Sequence, residues 1–483
     1  MLENKVFGNI QKVSGARVII HVSEDIAVNR VNISQFLSAY ISVGSLIGAI
    51  LVDGRTLVLS VEEIYENSDE IYINASISGV YDTVLKTFSF GTDTYPLVGE
   101  KVFTIGSKIL SHIFSMKQHA SDEAIIGTYV YDSNVNVGYN PNVIFGKHLG
   151  VFGNTGSGKT CTVVSLIQNY IRNNPNKDIK FIILDVNGEY RTAFTNDESD
   201  YIPFDQLRFH HTVLNCVEYG RLFRASEGVQ YPALKSSIAK LSADHTVWDL
   251  NSLSSEIDQW ISSNSRDNFS LNQLNGFLRT MKLRIDGITD DKALMTVINT
   301  ETEVDTLSRI LNSNKKVFIL DLQVSSDSLD IVLYMLFKKL YQFKALNRNV
   351  SHLNLVLEEA HRYINANVEE TKLGSYYIDK LSREGRKFGI GLIIASQVPS
   401  MLSYEIVSQC NTVIMHKITS KRDMEFLRGV LRVSNDSFYI QMSALEKQHA
   451  IVCGEAFPND TIVKIRDANP LPRSNDPIIQ DLE

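Results

Sequence analysis

The sequence has few of the features that mark secreted, metal-binding or membrane proteins. It contains four cysteines in 483 residues, and none lies in a CxxC pair or near a histidine at zinc-finger spacing. The amino-terminal stretch is polar and lacks the apolar run of a secretory signal. The nearest apolar segment, 40–52, is interrupted by serine and glycine and is shorter than the ~20 residues that span a bilayer. We therefore expect a cytoplasmic, soluble protein without membrane insertion.

A net positive charge is also missing. The formal net charge is -8, although 21% of the residues are charged and 44% are hydrophobic, which is ordinary for a globular protein. A protein that coats nucleic acid over its whole surface is expected to be basic. If this chain binds nucleic acid, its cations must be concentrated on one face or in a channel.

Short strands dominate the first part of the chain. They are rich in β-branched residues and are separated by glycine, aspartate and asparagine. The segment 44–61 has two apolar runs on either side of Asp53 and Gly54, which predicts a hairpin. Several short strands at this spacing predict a small β-barrel over residues 1–105.

The pattern changes at Leu149 to alternating strands and helices, which predicts an α/β core with a parallel sheet. Amphipathic segments without strand character follow and predict a helical insertion. The predicted limits are 106–195 for the first part of the core, 196–304 for the insertion, 305–468 for the second part of the core and 469–483 for an extended tail.

A phosphate-binding loop, G-x-x-x-x-G-K-[ST], lies between the first core strand and its helix. Its glycines allow backbone N–H groups to face phosphates, and the helix N-terminus adds partial positive charge. Lys159 would reach the β- and γ-phosphates, and the Thr160 hydroxyl would be a ligand of Mg²⁺. With ATP and Mg²⁺ as cofactors, the predicted binding residues are Gly153, Asn154, Thr155, Gly156, Ser157, Gly158, Lys159, Thr160 and Cys161.

Carboxylates end two further buried strands. Glu358 and Glu359 follow the apolar run 353–357, and we assign Glu358 to the metal side, through its water shell, and Glu359 to polarising the attacking water. Asp185 ends an earlier strand and either caps the following turn or approaches the γ-phosphate or its magnesium. His361 is interpreted as structural.

Two more segments could act on the γ-phosphate. Arg383 and Arg386 lie in a basic segment, and an arginine supplied across a subunit interface can stabilise the charge that develops during phosphoryl transfer. A solvated basic turn is the alternative. Gln397 follows the next strand, where a glutamine can sense the γ-phosphate.

Together these motifs resemble the HerA family, hexameric ATPases related to the FtsK motors and to the ATPases of type IV secretion. The match is carried by the stretches 148–160, 183–190, 355–362, 382–389, 395–400 and 408–412. This sequence departs from the family pattern at Val186 and Asn187, where the family usually has a Pro-His pair. The resemblance implies a RecA-like core in a ring of six, with ATP sites at subunit interfaces.

The resemblance also assigns roles. It makes Lys159, Thr160, Glu358 and Glu359 the catalytic set of one subunit. It makes Arg386, with Arg383 as the alternative, the arginine finger that acts on the neighbouring subunit's site.

Family members translocate on double-stranded DNA and work with a partner nuclease, and others serve anti-phage defence with an effector such as a sirtuin-like NAD hydrolase. The resemblance therefore implies a homo-hexameric DNA translocase with a separate effector protein. Two sets of cations could face the duplex, although solvated surfaces are the alternative for each: Arg279, Lys282 and Arg284 in the insertion, and Lys417, Lys421 and Arg422 after a core strand.

Two other functions stay open. The ring could be a nucleotide-controlled platform that assembles and activates an effector with little translocation, and the barrel would then be its docking face. A weaker alternative is a peripheral secretion motor of the type IV branch.

Overall fold

The computed structural model describes residues 4–23, 40–116, 124–244, 247–264, 271–301, 304–348, 350–362, 364 and 374–473. The chain divides into two compact units. The first contains Met1–Asn176, Ile393–Ser400 and Val407–Glu483, and the second contains Lys177–Leu392 and Met401–Ile406.

The amino-terminal strands of the first unit form a closed barrel. They are β1 (Val6–Ser14), β2 (Arg17–Val22), β3 (Leu46–Ile50), β4 (Thr56–Asn67), β5 (Glu70–Asp82), β6 (Thr87–Phe90) and β7 (Lys101–Thr104). Their order is β2-β1-β7-β3-β4-β5-β6, and pairing of β2 with β5 closes a ring of six strands, to which β6 is attached through β5. Side chains such as Phe7, Ile20 and Leu59 fill the interior. The predicted barrel is confirmed, including the hairpin of β3 and β4.

The remaining elements follow the barrel in chain order. They are α1 (Ser107–Ile113), β8 (Ile125–Tyr129), β9 (Asp132–Gly138), α2 (Pro141–Ile144), β10 (His148–Phe152), α3 (Lys159–Asn173), β11 (Ile179–Asp185), β12 (Ser199–Ile202), α4 (Cys216–Leu222), α5 (Gln230–Asp244), α6 (Ser252–Asn264), α7 (Leu271–Thr289), α8 (Lys292–Ile298), α9 (Thr306–Asn312), β13 (Val317–Asp321), α10 (Ser326–Leu346), β14 (His352–Leu357), α11 (Gly374–Glu384), β15 (Ile390–Ser396), α12 (Tyr404–Ser408), β16 (Thr412–Met415), α13 (Lys421–Val430), α14 (Ser437–Gln441), β17 (His449–Gly454) and β18 (Thr461–Ile465).

In the first unit, β10 and β16 pair in parallel, and β17, β18, β8 and β9 extend the sheet from β16 by antiparallel pairs. Strands β8 and β9 were not predicted from the sequence, although they lie within the range 106–195 assigned to the core. Their polar residues hid the alternation, because half of each strand's side chains face outward. The tail begins by contacting α3, since Gln168 Nε2 donates to the Pro470 carbonyl at 2.9 Å. Its predicted extension beyond Arg473 lies outside the described residues.

In the second unit, β12, β13, β11 and β14 are parallel neighbours in that order. The parallel α/β core is therefore confirmed. Helices α4 to α8 occupy the region of the predicted insertion, and a buried Glu218–Lys338 ion pair joins α4 to α10. Strand β12 lies inside the range 196–304, where only helices were expected. Its four residues are too few for a periodic pattern to be recognised.

No helix in the described part of the chain is both long and apolar enough to cross a membrane.

Candidate active site

The phosphate-binding loop of the first unit follows β10, whose residues are all buried, and ends where α3 begins at Lys159. Gly158 adopts φ 115°, which a residue with a side chain rarely reaches. At Gly153 an added Cβ would lie 2.6 Å from the Cβ of His416. Glycine is therefore required at both positions for the loop to keep this shape.

The two residues that start α3 are buried in this loop. Lys159 Nζ donates to the carbonyl of Asn154 at 3.1 Å, so the lysine lies folded onto its own loop. Thr160 is the next residue of the helix and is also buried. A glycine-shaped loop, an inward-folded lysine and a helix N-terminus fit the phosphates of a magnesium nucleotide.

Two flanking segments contact the loop from within the same unit. Thr155 Oγ1 donates to Gln397 Oε1, so the structure brings Gln397 to the loop, as its predicted role requires. Asn154 contacts the segment after β16, where its backbone N donates to the Lys417 carbonyl at 2.8 Å and its side-chain amide to Thr419 Oγ1 at 2.9 Å. This second contact was not predicted from the sequence, because 417–419 carry no nucleotide-binding motif.

His416 is a further residue that the sequence analysis missed. It is fully buried beneath the loop, with Nε2 2.9 Å from Thr162 Oγ1 and Nδ1 3.1 Å from the His449 carbonyl. A carbonyl oxygen can only accept, so Nδ1 carries a proton in its contact with His449. The Thr162 hydroxyl beside Nε2 also lies 3.1 Å from the Gly158 carbonyl, to which it donates. Burial and then the charge of Lys159 lower the pKa of His416 to about 3, which keeps the ring neutral.

The paired glutamates of the second unit follow β14 and are both buried. Glu358 Oε2 accepts a hydrogen bond from the Tyr190 hydroxyl at 2.5 Å. Burial and the Glu358 charge raise the pKa of Tyr190 well above its ordinary value, so it remains a donor. Tyr190 belongs to the stretch 183–190, but its hydrogen bond to Glu358 was not predicted.

Glu359 has a left-handed backbone conformation, with φ 47°. This conformation is costly for a residue with a side chain and occurs most often at functional sites. Oε2 of Glu359 lies 3.3 Å from Nδ1 of His361, which follows in a short 3₁₀ turn. The turn and the histidine therefore fix the direction of the glutamate side chain.

Asp185 caps the turn after β11. Its carboxylate accepts from the backbone N of Gly188 at 2.8 Å, of Glu189 at 3.1 Å and of Tyr190 at 3.0 Å. Burial raises the pKa of Asp185, and these backbone donors oppose the rise. Of the two roles left open by the sequence, the geometry favours capping.

The two candidate finger arginines have different surroundings. Arg383 is exposed at the end of α11 and pairs with Asp379 at 3.1 Å. Arg386 is half-buried in the 3₁₀ turn that follows. Between them, Glu384 accepts from the Tyr341 hydroxyl at 2.5 Å. The segment is thus held against α10, and Arg383 is already engaged within its own helix.

A glycine-shaped loop between a buried strand and a helix, with a buried strand that ends in paired glutamates, defines a P-loop nucleoside triphosphatase. Residues 124–340 match the family model described as "Helicase HerA, central domain". A probable helicase of Methanocaldococcus jannaschii is 24% identical over 96% of this chain and 92% of its own. The DNA double-strand break repair helicase HerA of Saccharolobus solfataricus is 25% identical over 83% and 79%.

Among solved structures, VirB4 of Thermoanaerobacter pseudethanolicus superposes with a TM-score of 0.52 and 12% identity, over 72% of this chain and 98% of that one. This likeness concerns the fold. The sequence relatives, the family model and the loop together show that the chain is similar to the HerA family of P-loop ATPases. It is therefore an ATPase that uses ATP and Mg²⁺.

Proposed function

We propose that the protein is a homo-hexameric motor that hydrolyses ATP to move double-stranded DNA and works with a separate effector protein. This proposal rests on the hydrogen bonds that join the phosphate loop, through Asn154, to the exposed basic segment around Lys417 in the same unit. The relative from Saccharolobus solfataricus, named as a repair helicase, supports DNA as the track.

In this proposal the chain's own residues divide the chemistry. The loop residues 153–161 bind the phosphates, Thr160 would be a ligand of Mg²⁺, and Glu358 would contact the metal through its water shell. Glu359 polarises the attacking water, and Gln397 senses the γ-phosphate. Arg386 from the neighbouring subunit stabilises the charge of the transition state, with Arg383 as the alternative. Bound Mg²⁺ would neutralise charge on the β- and γ-phosphate oxygens.

The two candidate sets of DNA-binding cations have different surroundings. In the insertion, Lys282 pairs with Asp258 at 2.5 Å, and Arg284 donates to the carbonyls of Phe223 and Arg224, whereas Arg279 is exposed and makes no ion pair with any described residue. In contrast, Lys417, Lys421 and Arg422 are exposed and make no ion pair with any described residue. Cations that make no ion pair or side-chain hydrogen bond with a described residue are available to phosphates. All three cations of the second set meet this condition, against Arg279 alone in the first, so we favour the second set.

The test is the ATPase rate with and without linear duplex DNA across a salt series. We expect several-fold stimulation that falls steeply with salt, because phosphate contacts release counterions. The double variant Lys421→Glu with Arg422→Glu should lose the stimulation, whereas Arg279→Glu in the insertion should keep it. A rate that ignores DNA at every salt concentration would contradict translocation.

A nucleotide-controlled platform is the second candidate, and one surface favours it. Large apolar side chains are exposed on the barrel, at the β3–β4 and β5–β6 hairpins and in the loop that precedes β7. They are Ile50, Val52, Val84, Leu85, Tyr95, Leu97 and Val98. Exposed apolar patches commonly mark protein contacts. If the barrel docks an effector, such as a nuclease or an NAD hydrolase of a phage-defence system, the effector should change the ATPase rate more than DNA does.

A further inference from the structure

Two residues of the phosphate loop contact opposite flanks of the first unit. On one side, Asn154 donates to Lys417 and Thr419, which lie between β16 and α13. We call residues 416–422 the linking segment. On the other side, Thr155 donates to Gln397 after β15.

The second flank also leads to α13. The backbone N of Ser400, three residues after Gln397, donates to Asp423 Oδ1 at 3.0 Å. Asp423 is buried in the first turn of α13. Both loop residues are therefore connected, through hydrogen bonds and short backbone segments, to the same helix start.

The linking segment alternates between anchored and exposed residues. His416 and Ile418 are fully buried, and His416 contacts the helix of the phosphate loop through Thr162. Lys417 and Thr419 between them are exposed, and Ser420 caps α13. Because its buried residues are tightly packed, the segment cannot easily deform. A displacement of the phosphate loop is therefore transmitted along it to α13.

The far end of the linking segment carries Lys421 and Arg422 in the first turn of α13. With Lys417 they form an exposed cationic face at a helix N-terminus. Such a face suits the evenly spaced phosphates of a nucleic acid backbone, whose recognition does not depend on sequence.

We infer that the linking segment couples the nucleotide state of the phosphate loop to the grip on duplex DNA, and that Thr419 is its positioning residue. This inference rests on the proposed function, because it needs DNA as the ligand of the cationic face. A nucleotide that changes the hydrogen bonds of Asn154 and Thr155 shifts Thr419 and Asp423, and with them the cations. Coupling of this kind is reciprocal, so DNA must also change the affinity for nucleotide.

Thr419→Val in the full-length protein tests the inference, because it removes the hydroxyl and keeps the shape. Thr83→Val, on an exposed barrel turn, is the matched control. We expect the Thr419→Val variant to keep the basal ATPase rate and the affinity for duplex DNA within about twofold. It should lose most of the stimulation of its ATPase rate by DNA. Its affinity for DNA should also no longer differ between the ADP-bound protein and the protein bound to a non-hydrolysable ATP analogue. The control should keep both.

The other outcomes are distinguishable. If wild type is stimulated by DNA and Thr419→Val is stimulated equally, the coupling role is wrong and the proposed function stands. If Thr419→Val loses its basal rate, Thr419 serves the phosphate loop itself and the inference is also wrong. If wild type ignores DNA, the proposed function fails and the inference fails with it.

Discussion

Glu359 combines burial, a left-handed backbone and a histidine neighbour at the end of a strand. A glutamate held in this way can orient a water molecule without rearranging, which is what a general base requires. We predict that Glu359→Gln lowers kcat by about a hundredfold or more, which is the contribution typical of a general base. ATP should still bind with an affinity close to that of wild type, because the glutamine keeps the size and removes only the charge.

Single-turnover hydrolysis and equilibrium binding of a fluorescent ATP analogue measure the two effects of Glu359→Gln separately. Glu405→Gln, on the exposed start of α12, is the control. Normal turnover by Glu359→Gln would show that the base lies elsewhere, with Glu358 as the next residue to test.

His416 gives a prediction about pH. Its pKa is lowered to about 3 from 6.5 in the folded protein, so the unfolded chain binds one more proton between these values. Stability is then fully present above pH 6.5 and falls as the pH drops toward 3, with a slope of about 1.4 kcal/mol per pH unit for each such proton. His211, with a pKa of about 3 from burial, adds to the same slope.

We expect the free energy of unfolding to fall between pH 6.5 and pH 5, and His416→Asn to reduce the slope by about one proton's share. Denaturant titrations at several pH values measure it. An unchanged slope in His416→Asn would mean that His416 is not held neutral.

The turn after β11 shows what one side chain contributes to an element. Asp185 accepts from three successive backbone donors in this partly buried turn. A buried donor left without a partner costs about 1–3 kcal/mol. We predict that Asp185→Ala lowers the free energy of unfolding by at least about 2 kcal/mol, measured by urea denaturation.

Asp185→Asn should be milder than Asp185→Ala, because one amide oxygen can still accept. If Asp185→Ala kept full stability but needed a higher Mg²⁺ concentration for hydrolysis, the metal-side role that the sequence left open would be the correct one instead.

The elements that the sequence predicted well are those with strong periodic or apolar patterns. Helix α3 places Val163, Val164 and Ile167 on one buried face, and β11 is apolar along most of its length. In these segments local pattern and tertiary environment agree. Strands β8, β9 and β12 were missed, because each is short and partly polar and is held in place by a neighbouring strand rather than by its own pattern.

The same distinction applies to the site. The residues of the phosphate loop and the paired glutamates were identified because their chemistry imposes a fixed local spacing. His416, Thr419 and Tyr190 act through contacts with residues that are distant in sequence. A histidine or a threonine without a motif has no local signature, and the motif 183–190 that contains Tyr190 does not reveal its contact with Glu358, so the structure was needed to find these contacts.

At the scale of the whole molecule, an ATP site shared between subunits makes hydrolysis in each subunit depend on its neighbour in the ring. The proposed division places Lys159 in one subunit and the finger arginine, Arg386, in its neighbour. Each single substitution, Lys159→Ala or Arg386→Ala, should then abolish turnover in a uniform ring. Arg386→Ala should still bind ATP, because its own phosphate loop is intact.

Mixed rings test this sharing directly. In an equal mixture of Lys159→Ala and Arg386→Ala subunits, an Arg386→Ala subunit keeps its loop and can receive the arginine of a Lys159→Ala neighbour. Random assembly makes roughly a quarter of the interfaces complete, so we expect measurable ATPase activity from two inactive proteins. Replacing the Lys159→Ala partner by the Lys159→Ala, Arg386→Ala double variant leaves no subunit with Arg386 and should give no recovery. Recovery in the first mixture but not with the double variant would show that Arg386 acts on the neighbouring subunit's site. The opposite result is recovery when Arg383→Ala replaces Arg386→Ala and no recovery with Arg386→Ala. It would assign the role to Arg383, although its guanidinium is paired with Asp379 in the single chain.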